Sequence, residues 1–359
     1  MKKLKILIDY SPACREDKTG IPLFVKHLYS ELNKIDNIEI HKSFCVSSII
    51  PIKPWFIYRL FEKILYQKFY IPFKLKFGNY DIYIENQYMF IPLFKPKNIK
   101  VVNIIYDIAL VLFNNIQTPK HTKNWREKLP ISIKNSDIIV TISKSSKIDI
   151  QNYLDDLHIA KPLDYIYANV DKIDICKDKR ILDKFNINNE YFLFLGTLEP
   201  RKNPLNLVKA FKKFKENSKN DIKMVFAGKK GWLYNEVLEY IKNNNIDNEV
   251  IFTGYISEQE KSCLLYNTKA FLFLSIYEGF GMPPLEALEM NIPTILSDIA
   301  VFKELFEDSV YYADPYDIED ISKKMHHILI QKPNINKNIL KKFSWELSAK
   351  KLVEIICKN

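Results

Sequence analysis

The sequence lacks the patterns that mark several classes of protein. Its 5 cysteines are widely separated and none stands in a Cys-x-x-Cys pair, so neither a disulfide framework nor a zinc site is indicated. It has no Asp-x-Asp triplet and no His-Glu-x-x-His segment, so we expect no bound metal. The Gly-x-Gly-x-x-Gly pattern of dinucleotide binders is also missing, which disfavours a nicotinamide or flavin enzyme and leaves no cofactor expected.

Long apolar stretches are missing as well. No apolar run reaches the ~18 residues that crossing a bilayer needs, and no positive-then-apolar leader precedes the first apolar segment. Together with the scattered cysteines, this favours a cytoplasmic protein that is soluble or peripheral on the inner membrane face.

Charge of one sign is in excess, with a formal net charge of +10 at pH 7. Such an excess suggests nucleic acid, an anionic membrane surface or phosphorylated small molecules as partners, and lysines that only solvate the surface explain it equally well. No nucleic-acid-binding module is recognisable, so nucleic acid ranks last among these partners.

A length of 359 residues at 47% hydrophobic content predicts two globular domains. Short apolar runs followed by amphipathic stretches recur along the chain, as at Lys3–Tyr10 and Tyr191–Leu198. This alternation predicts α/β domains with doubly wound parallel sheets, and a ligand cleft at the carboxyl ends of the strands. We place the boundary in the charged stretch before the second of these runs, which gives domains of 1–172 and 173–342.

The segment Pro51–Phe77 interleaves aromatic rings with lysines and one arginine, and Glu62 is its only acid. Such a mixture is typical of an interfacial segment on an anionic membrane. A core helix whose rings pack inward is an equally good interpretation.

Two glutamates stand eight residues apart around the turn in "SIYEGFGMPPLEALEM". A strand that ends at Ile276 would deliver Glu278 to a sheet edge, and Glu286 would lie in the first turn of the next helix. Gly279 and Gly281 would let backbone N–H groups approach a ligand. Because carboxylates accept from sugar hydroxyls and helix N-termini bind phosphate, a nucleotide sugar fits both; a helix-dipole residue and a solvated loop charge are the alternative.

Two cations stand in the loop of "GTLEPRKNPLNLVKAF", where Arg201 and Lys202 follow a predicted strand and Pro204 begins a predicted helix. Arginine binds two phosphate oxygens as a fork and lysine binds as a point charge, so the pair could stabilise a diphosphate leaving group, although a solvated pair is common. Gly20 opens a helix in "TGIPLFVKHL" and would allow close approach of a ligand.

These three constellations, in this order, resemble the retaining GT-B glycosyltransferases of family four, the group 1 transferases. "SIYEGFGMPPLEAL" is similar to the E-x7-E signature of that family, "GTLEPRKN" to its diphosphate-binding loop and "FTGYISEQEKSCLLYNTKAFLFLS" to the segment before the signature. The resemblance covers nearly the whole chain. It implies two Rossmann-like doubly wound domains facing across a cleft, with a terminal helix at 343–359 that crosses back onto the N-terminal domain.

The resemblance also implies roles for single residues. Glu278 would contact the donor hexose, Glu286 the ribose hydroxyls, and Arg201 with Lys202 the diphosphate. The other donor-side residues would be Phe280, Gly281 and Met282 at the distal phosphate, Gly279 beside them, Tyr255 and Ile256 along the nucleobase, and Gly20 approaching the phosphate from the N-terminal domain.

Three positions depart from the family pattern. Thr197 replaces an arginine that many members have, so Arg201 would have to compensate. Tyr106 and Asp107 stand on the acceptor side where many members have His-Asp, which leaves the role of a sugar-contacting histidine open. Asn291 replaces the glycine that commonly ends the signature helix and tolerates the same left-handed conformation.

The implied reaction is metal-independent, retaining transfer of a hexose from a nucleotide-diphosphate sugar. The similarity to mannosyl- and rhamnosyl-type transferases of bacterial surface polysaccharides favours GDP-mannose over UDP-hexoses and dTDP-rhamnose, with a glycan or polyprenyl-linked acceptor. The leaving phosphate would itself take the acceptor proton, so no separate base is expected. A non-catalytic nucleotide-sugar or glycan-binding relative and a GT-B nucleotide-sugar epimerase are the alternatives.

Overall fold

The structure is a computed structural model that describes residues 3–14, 20–45, 65–87, 90–113, 119–218, 220–231 and 234–359. The chain divides into two compact units. Unit 1 lies within residues 1–112, 120–169 and 342–359, and unit 2 lies within residues 113–119 and 170–341. Among the described helices, none has both the length and the apolar content that a bilayer crossing requires.

Unit 1 is built on a parallel sheet of 6 strands in the order β2-β1-β3-β4-β5-β6. The strands are β1 (Leu4–Asp9), β2 (Ile38–Ser43), β3 (Ile82–Glu85), β4 (Lys100–Ile104), β5 (Ile138–Thr141) and β6 (Leu163–Tyr165). The helices between them are α1 (Ile21–Leu32), α2 (Ile71–Phe77), α3 (Ala109–Leu112), α4 (Pro119–Asn135) and α5 (Lys144–Asp156). A π-helical turn, Tyr66–Tyr70, runs directly into α2.

Unit 2 repeats this architecture with a second parallel sheet of 6 strands in the order β12-β11-β10-β7-β8-β9. The strands are β7 (Tyr191–Leu195), β8 (Lys223–Ala227), β9 (Val250–Gly254), β10 (Ala270–Phe273), β11 (Thr294–Ser297) and β12 (Tyr311–Ala313). The helices are α6 (Arg180–Lys184), α7 (Pro204–Glu216), α8 (Tyr234–Asn243), α9 (Glu258–Asn267), α10 (Met282–Glu289), α11 (Ala300–Phe306) and α12 (Ile318–Ile330).

The central strands are apolar because helices cover both faces of each sheet. Every residue of β7 and β10 is buried. Aromatic rings on adjacent strands pack against one another. The ring of Phe194 stacks on that of Phe273 at 5.8 Å between centroids and packs against that of Phe226 at 5.4 Å. The predicted α/β class with doubly wound parallel sheets is confirmed.

The last helix, α13 (Trp345–Lys358), packs on α1 within unit 1. Trp345 stacks on His27 with 4.9 Å between ring centroids and meets Phe24 edge-on at 5.6 Å. The hydroxyl of Ser348 donates to the carbonyl of Tyr167 at 2.5 Å. The C-terminal segment therefore completes the packing of unit 1.

The expectation that the cysteines form no disulfide is wrong. Cys176 and Cys263 are disulfide-bonded, with Cα atoms 4.7 Å apart and a sequence separation of 87. The hydroxyl of Ser262 accepts from the backbone N–H of Cys176 at 3.0 Å, so the segment before α6 is held to α9 beside the disulfide. A pairing over that separation is produced by tertiary folding, and spacing alone cannot reveal it.

Two carboxyl groups lie buried at the carboxyl ends of β1 and β3, where the strand order of unit 1 reverses direction. Gln87 bridges them: its backbone N–H donates to Glu85 at 2.7 Å and its side-chain amide to Asp9 at 2.8 Å. Burial, with the charge of Asp9, raises the pKa of Glu85 from its ordinary 4.5 to about 8. Burial also raises the pKa of Asp9 against the hydrogen bonds it accepts from Ser11 and other donors.

We therefore expect the stability of unit 1 to fall as pH rises. Between about 4.5 and about 8 the folded state keeps a proton on Glu85 that the unfolded chain releases, so the free energy of unfolding decreases by up to ~1.4 kcal/mol per pH unit in that window. The Glu85→Gln variant removes this titration and should be stabilised relative to the wild type more at pH 8 than at pH 5. Urea unfolding at both pH values measures the difference.

The matched control is Glu127→Gln, which changes an exposed glutamate on α4 and should leave the pH dependence unaltered. Identical pH dependence of unfolding in Glu85→Gln and wild type would show that Glu85 holds no such proton.

Candidate functional site

The candidate site of unit 2 lies at the point where the order in which the chain adds strands to the sheet reverses. The chain runs from β7 outward through β8 to β9, returns to β10 on the other side of β7, and continues to β11 and β12. The loops after β7 and β10 meet at the point where the strand order reverses, which is where doubly wound sheets bind ligands. Arg201 and Lys202 follow β7, and Glu278 follows β10.

The three predicted charged residues meet there in a buried ion cluster. One oxygen of the Glu278 carboxylate lies 2.9 Å from a guanidinium nitrogen of Arg201 and the other lies 2.5 Å from the Lys202 ammonium. The other guanidinium end-nitrogen of Arg201 lies 3.0 Å from Glu199. Glu278 is only 7% exposed. Two cations and two carboxylates are thus held together at the edge of the sheet.

The loop that carries the cations is fixed by its backbone. Pro200–Lys202 form a 3-10 turn, and Asn203 ends it in the left-handed conformation with φ 60°. The Asn203 amide donates to the carbonyl of Pro315 at 2.6 Å, and Pro204 begins α7 in the position that proline favours. The carbonyl of Arg201 also accepts from the N–H of Ile276 at 2.8 Å, which joins the two loops directly.

Burial and charge oppose each other in this cluster. Burial alone would raise the pKa of Glu278, but the charges of Arg201 and Lys202 outweigh it and lower the pKa to about 2. Burial lowers the pKa of the Lys202 ammonium, which the charge of Glu278 partly offsets. The Lys202 ammonium also lies 4.5 Å from the ring centroid of Phe273 on β10. Glu278 is therefore an ionised carboxylate at neutral pH.

The second signature glutamate is held by a residue that the sequence analysis missed. The Glu286 carboxylate accepts from the ammonium of Lys261, on α9, at 2.6 Å, and Lys261 also lies 2.7 Å from Glu258. Burial raises the pKa of Glu286, and its single cation does not fully compensate. Burial would lower the pKa of Lys261, but its two carboxylates raise it. The available signal was that Lys261 shares a helix face with the buried Leu264 and Leu265.

The placement of Glu286 in the first turn of its helix is wrong. The helix α10 begins at Met282, so Glu286 is its fifth residue and lies in the second turn. The Glu286 side chain is buried and points toward Lys261 on α9. Pro283 and Pro284 fill the first turn and have no N–H to offer.

The turn before α10 depends on glycine. Gly281 has φ 106°, and a Cβ there would lie 2.7 Å from the ring of Phe302. Phe280 is buried, as is Gly279. A side chain at Gly281 would force either the helix start or the packed ring to move, so the amides of Phe280, Gly281 and Met282 are held in one geometry.

The remaining donor-side predictions lie after β9 in the same unit. Tyr255 is 63% exposed, with the Lys229 ammonium 4.9 Å from its ring centroid, and Ile256 is half-buried beside it. Since β9, β8, β7 and β10 are neighbours, their carboxyl ends share one edge with the ion cluster. A role for either residue toward a nucleobase stays a prediction.

The predicted residues of unit 1 are described on their own. Gly20 precedes α1 with φ 64° and open space where a side chain would be. Tyr106 is buried, and its ring meets that of Phe24 edge-on at 5.3 Å. Asp107 accepts from the N–H of Ala109 at 3.0 Å and so caps the short helix α3. These contacts assign Tyr106 and Asp107 structural roles, and their acceptor-side role stays a prediction.

Within the part of the chain that the structure describes, no three His, Cys, Asp or Glu side chains gather as a group that could hold a metal ion. The expected metal independence stays a prediction.

Residues 177–343 match the family model described as "Glycosyl transferases group 1". The chain is 25% identical over 238 residues to O-antigen chain mannosyltransferase B of Escherichia coli, covering 64% of this chain and 60% of that protein. It is 29% identical over 244 residues to O-antigen chain mannosyltransferase RfbU of Salmonella typhimurium, covering 68% and 63%. A shorter match of 172 residues, 26% identical and covering 47% and 45%, is to a Campylobacter jejuni 4-alpha-N-acetylgalactosaminyltransferase whose name includes diphospho-undecaprenol. Each alignment spans less than two thirds of the relative.

Solved structures share the fold at low sequence identity. A sucrose-phosphate synthase from Thermosynechococcus elongatus superimposes with a TM-score of 0.74 at 14% identity, covering 99% of each chain. The lipopolysaccharide outer core galactosyltransferase WaaB superimposes with a TM-score of 0.62 at 17% identity, covering 100% of this chain and 99% of WaaB. The GT-B fold class expected from the sequence is thereby confirmed.

The pairing of Lys261 with Glu286 predicts a specific instability. Lys261→Met leaves the buried Glu286 carboxylate without its cation, and we expect a loss of about 3 kcal/mol in the free energy of unfolding, because an unpaired buried charge is costly. Adding Glu286→Gln should recover most of that loss. Urea unfolding of the single and double variants measures both effects.

Lys269→Met is the matched control, since Lys269 pairs with Glu190 at the surface and its loss should cost less than about 1 kcal/mol. If Lys261→Met were no more destabilising than this control, Lys261 would not be needed to compensate a buried charge on Glu286.

Proposed function

We propose that this chain, whose residues 177–343 match the family model of the group 1 glycosyl transferases, transfers a hexose from a nucleotide-diphosphate sugar to a glycan or lipid-linked acceptor. The observation that carries the proposal is the buried cluster of Arg201, Lys202 and Glu278 at the switch point of unit 2. It joins two fixed cations to one ionised carboxylate at the sheet edge where such folds bind ligands.

The cations would hold the diphosphate. Arg201 offers a planar fork and Lys202 a point charge, and both are already oriented by Glu278 before a ligand arrives. Because the cluster lies in a buried environment, its charges interact more strongly with a phosphate than they would in water. As the glycosidic bond breaks, negative charge grows on the leaving diphosphate, and these two groups would stabilise it.

The carboxylates would hold hydroxyls. Glu278, ionised at neutral pH, would accept from the hexose and favour positive charge near the reacting carbon. Glu286, fixed by Lys261, would accept from the ribose hydroxyls. The amides of Phe280 to Met282 would face the distal phosphate, with Tyr255 and Ile256 along the nucleobase.

Retention of configuration follows if the acceptor oxygen attacks the anomeric carbon from the same face that the leaving diphosphate occupies. The acceptor oxygen would bond to the anomeric carbon as the bond from that carbon to the diphosphate breaks, and the acceptor proton would pass to a phosphate oxygen. Arg201 and Lys202 supply the charge that this step needs, so we propose that no metal takes part. The anomeric configuration of the product, determined by NMR, tests retention, and an inverted product would reject it.

Mannose is the proposed sugar and GDP-mannose the proposed donor, because both O-antigen relatives are named mannosyltransferases. A lipid-linked acceptor is supported by the relative named for diphospho-undecaprenol. The reaction would belong to bacterial surface polysaccharide synthesis, on the cytoplasmic side of the membrane that carries the acceptor.

Thermal unfolding with a panel of nucleotides tests the donor. A ligand that binds only the folded state raises the melting temperature by an amount that depends on its affinity. We expect GDP and GDP-mannose to produce the largest shifts. Release of GDP that depends on a lipid-linked oligosaccharide then separates transfer from simple binding, and conversion of the donor without an acceptor would indicate epimerisation.

Lys202→Gln should separate phosphate binding from binding of the rest of the nucleotide. The expected result is a turnover lower by about 100-fold, as when one charge-stabilising group is lost, and a reduced melting shift with GDP but an unchanged shift with guanosine. Lys212→Gln, which changes a lysine in a surface pair with Glu216, is the control and should behave as wild type. Equal GDP shifts in Lys202→Gln and wild type would remove Lys202 from the diphosphate site.

A further inference from the structure

The helical segment that runs from Leu65 to Phe77 is apolar on two sides. Its inner side contributes Tyr66, Ile71 and Leu75 to a buried cluster of unit 1. Its outer side carries Leu65, Phe69, Phe73 and Phe77 at a spacing of four residues, exposed by 46%, 39%, 48% and 72%. We call these four residues the outer face. The core interpretation therefore holds for the inner side, and the interfacial interpretation stays a prediction for the outer side. The preceding residues 51–64 lie outside the described residues.

Cations surround the outer face. Lys68, Lys74 and Lys76 lie in the same segment, and the sequence from 65 to 77 contains no Asp or Glu. The Lys76 ammonium lies 5.6 Å from the ring centroid of Phe77, and the Lys74 ammonium donates to the hydroxyl of Tyr70 at 3.2 Å. Lys76 therefore adjoins the outer face directly, and Lys68 and Lys74 lie in the same segment; the ring of Phe73 also meets that of Phe94 edge-on at 5.4 Å.

A cluster of exposed apolar residues on the outer side of a helix whose inner side is already packed indicates an interaction surface. Association of two copies through a twofold axis would place the same three lysines against each other, with no acid in the segment to compensate. An anionic bilayer fits both parts of the surface. Aromatic rings enter at the level of the headgroups, and lysines extend their ammonium groups to the phosphates.

We propose that the outer face, with Lys68, Lys74 and Lys76, docks the protein on the anionic surface of a lipid bilayer. The inference goes beyond the proposed function because it concerns where the protein binds and holds whichever sugar is transferred. It places unit 1 at the surface where a lipid-linked acceptor would be found.

Co-sedimentation of the full chain with vesicles tests the proposal. Vesicles of phosphatidylcholine mixed with phosphatidylglycerol should bind the protein, with an affinity that falls as salt is added, whereas phosphatidylcholine vesicles should bind it at least about tenfold more weakly. Equal binding to both vesicles, or binding to neither, would overturn the proposal.

Two variants assign the binding to this surface. Lys68→Gln, Lys74→Gln and Lys76→Gln together should weaken binding at least about tenfold, and so should Phe69→Ser with Phe77→Ser. The matched control replaces three exposed lysines elsewhere, Lys123, Lys303 and Lys350, by Gln, with the same loss of net charge. If the control weakened binding as much as the segment variant, general charge and not this surface would be responsible.

The melting shift with GDP distinguishes this proposal from the proposed function, because it reports on nucleotide binding, in which the proposed donor site uses no residue of the outer face. Vesicle binding without a nucleotide shift would leave the surface proposal standing and reject the donor site. Loss of self-association in Phe69→Ser with Phe77→Ser, without any vesicle binding by the wild type, would identify the outer face as a contact between copies and reject the bilayer.

Discussion

A carboxylate buried at a sheet edge requires compensating charge, and in unit 2 that requirement organises the candidate site. Glu278 lies between Arg201 and Lys202, and an unpaired charge at that depth would cost several kcal/mol. The same ion pairs hold the loop after β7 against the loop after β10, so the two cations are oriented before any ligand binds. A diphosphate would then meet groups whose conformational freedom is already lost, which is the condition under which positioning contributes to rate.

The strand order reverses at equivalent points in the two sheets, and the buried carboxyl groups at those points differ in their surroundings. In unit 1, between β1 and β3, the carboxyl groups of Asp9 and Glu85 are held by hydrogen bonds such as those from Gln87, and burial raises the pKa of both. In unit 2, between β7 and β10, the carboxylate is ionised and the cations dominate its surroundings. The same topology thus supports a proton-holding polar core in one unit and a buried ion cluster at the sheet edge in the other.

Much of the fold could be predicted from the sequence because buried parallel strands are continuous apolar runs, as β7 and β10 are. The alternating edge strand β2 and the three-residue β6 lack such a run. At the site, the family resemblance indicated Glu278, Arg201 and Lys202, but their mutual contact depends on strand order. Strand order also explains why Lys261 and the Cys176–Cys263 disulfide were missed, since each joins segments that only tertiary folding brings together.

A crystal structure of the protein with GDP-mannose tests the central claim most directly. The account predicts density for the diphosphate on the side chains of Arg201 and Lys202, with the ribose hydroxyls at Glu286 and the hexose beside Glu278. Density for the nucleotide at any other edge of unit 2, or phosphates directed away from the two cations, would contradict it.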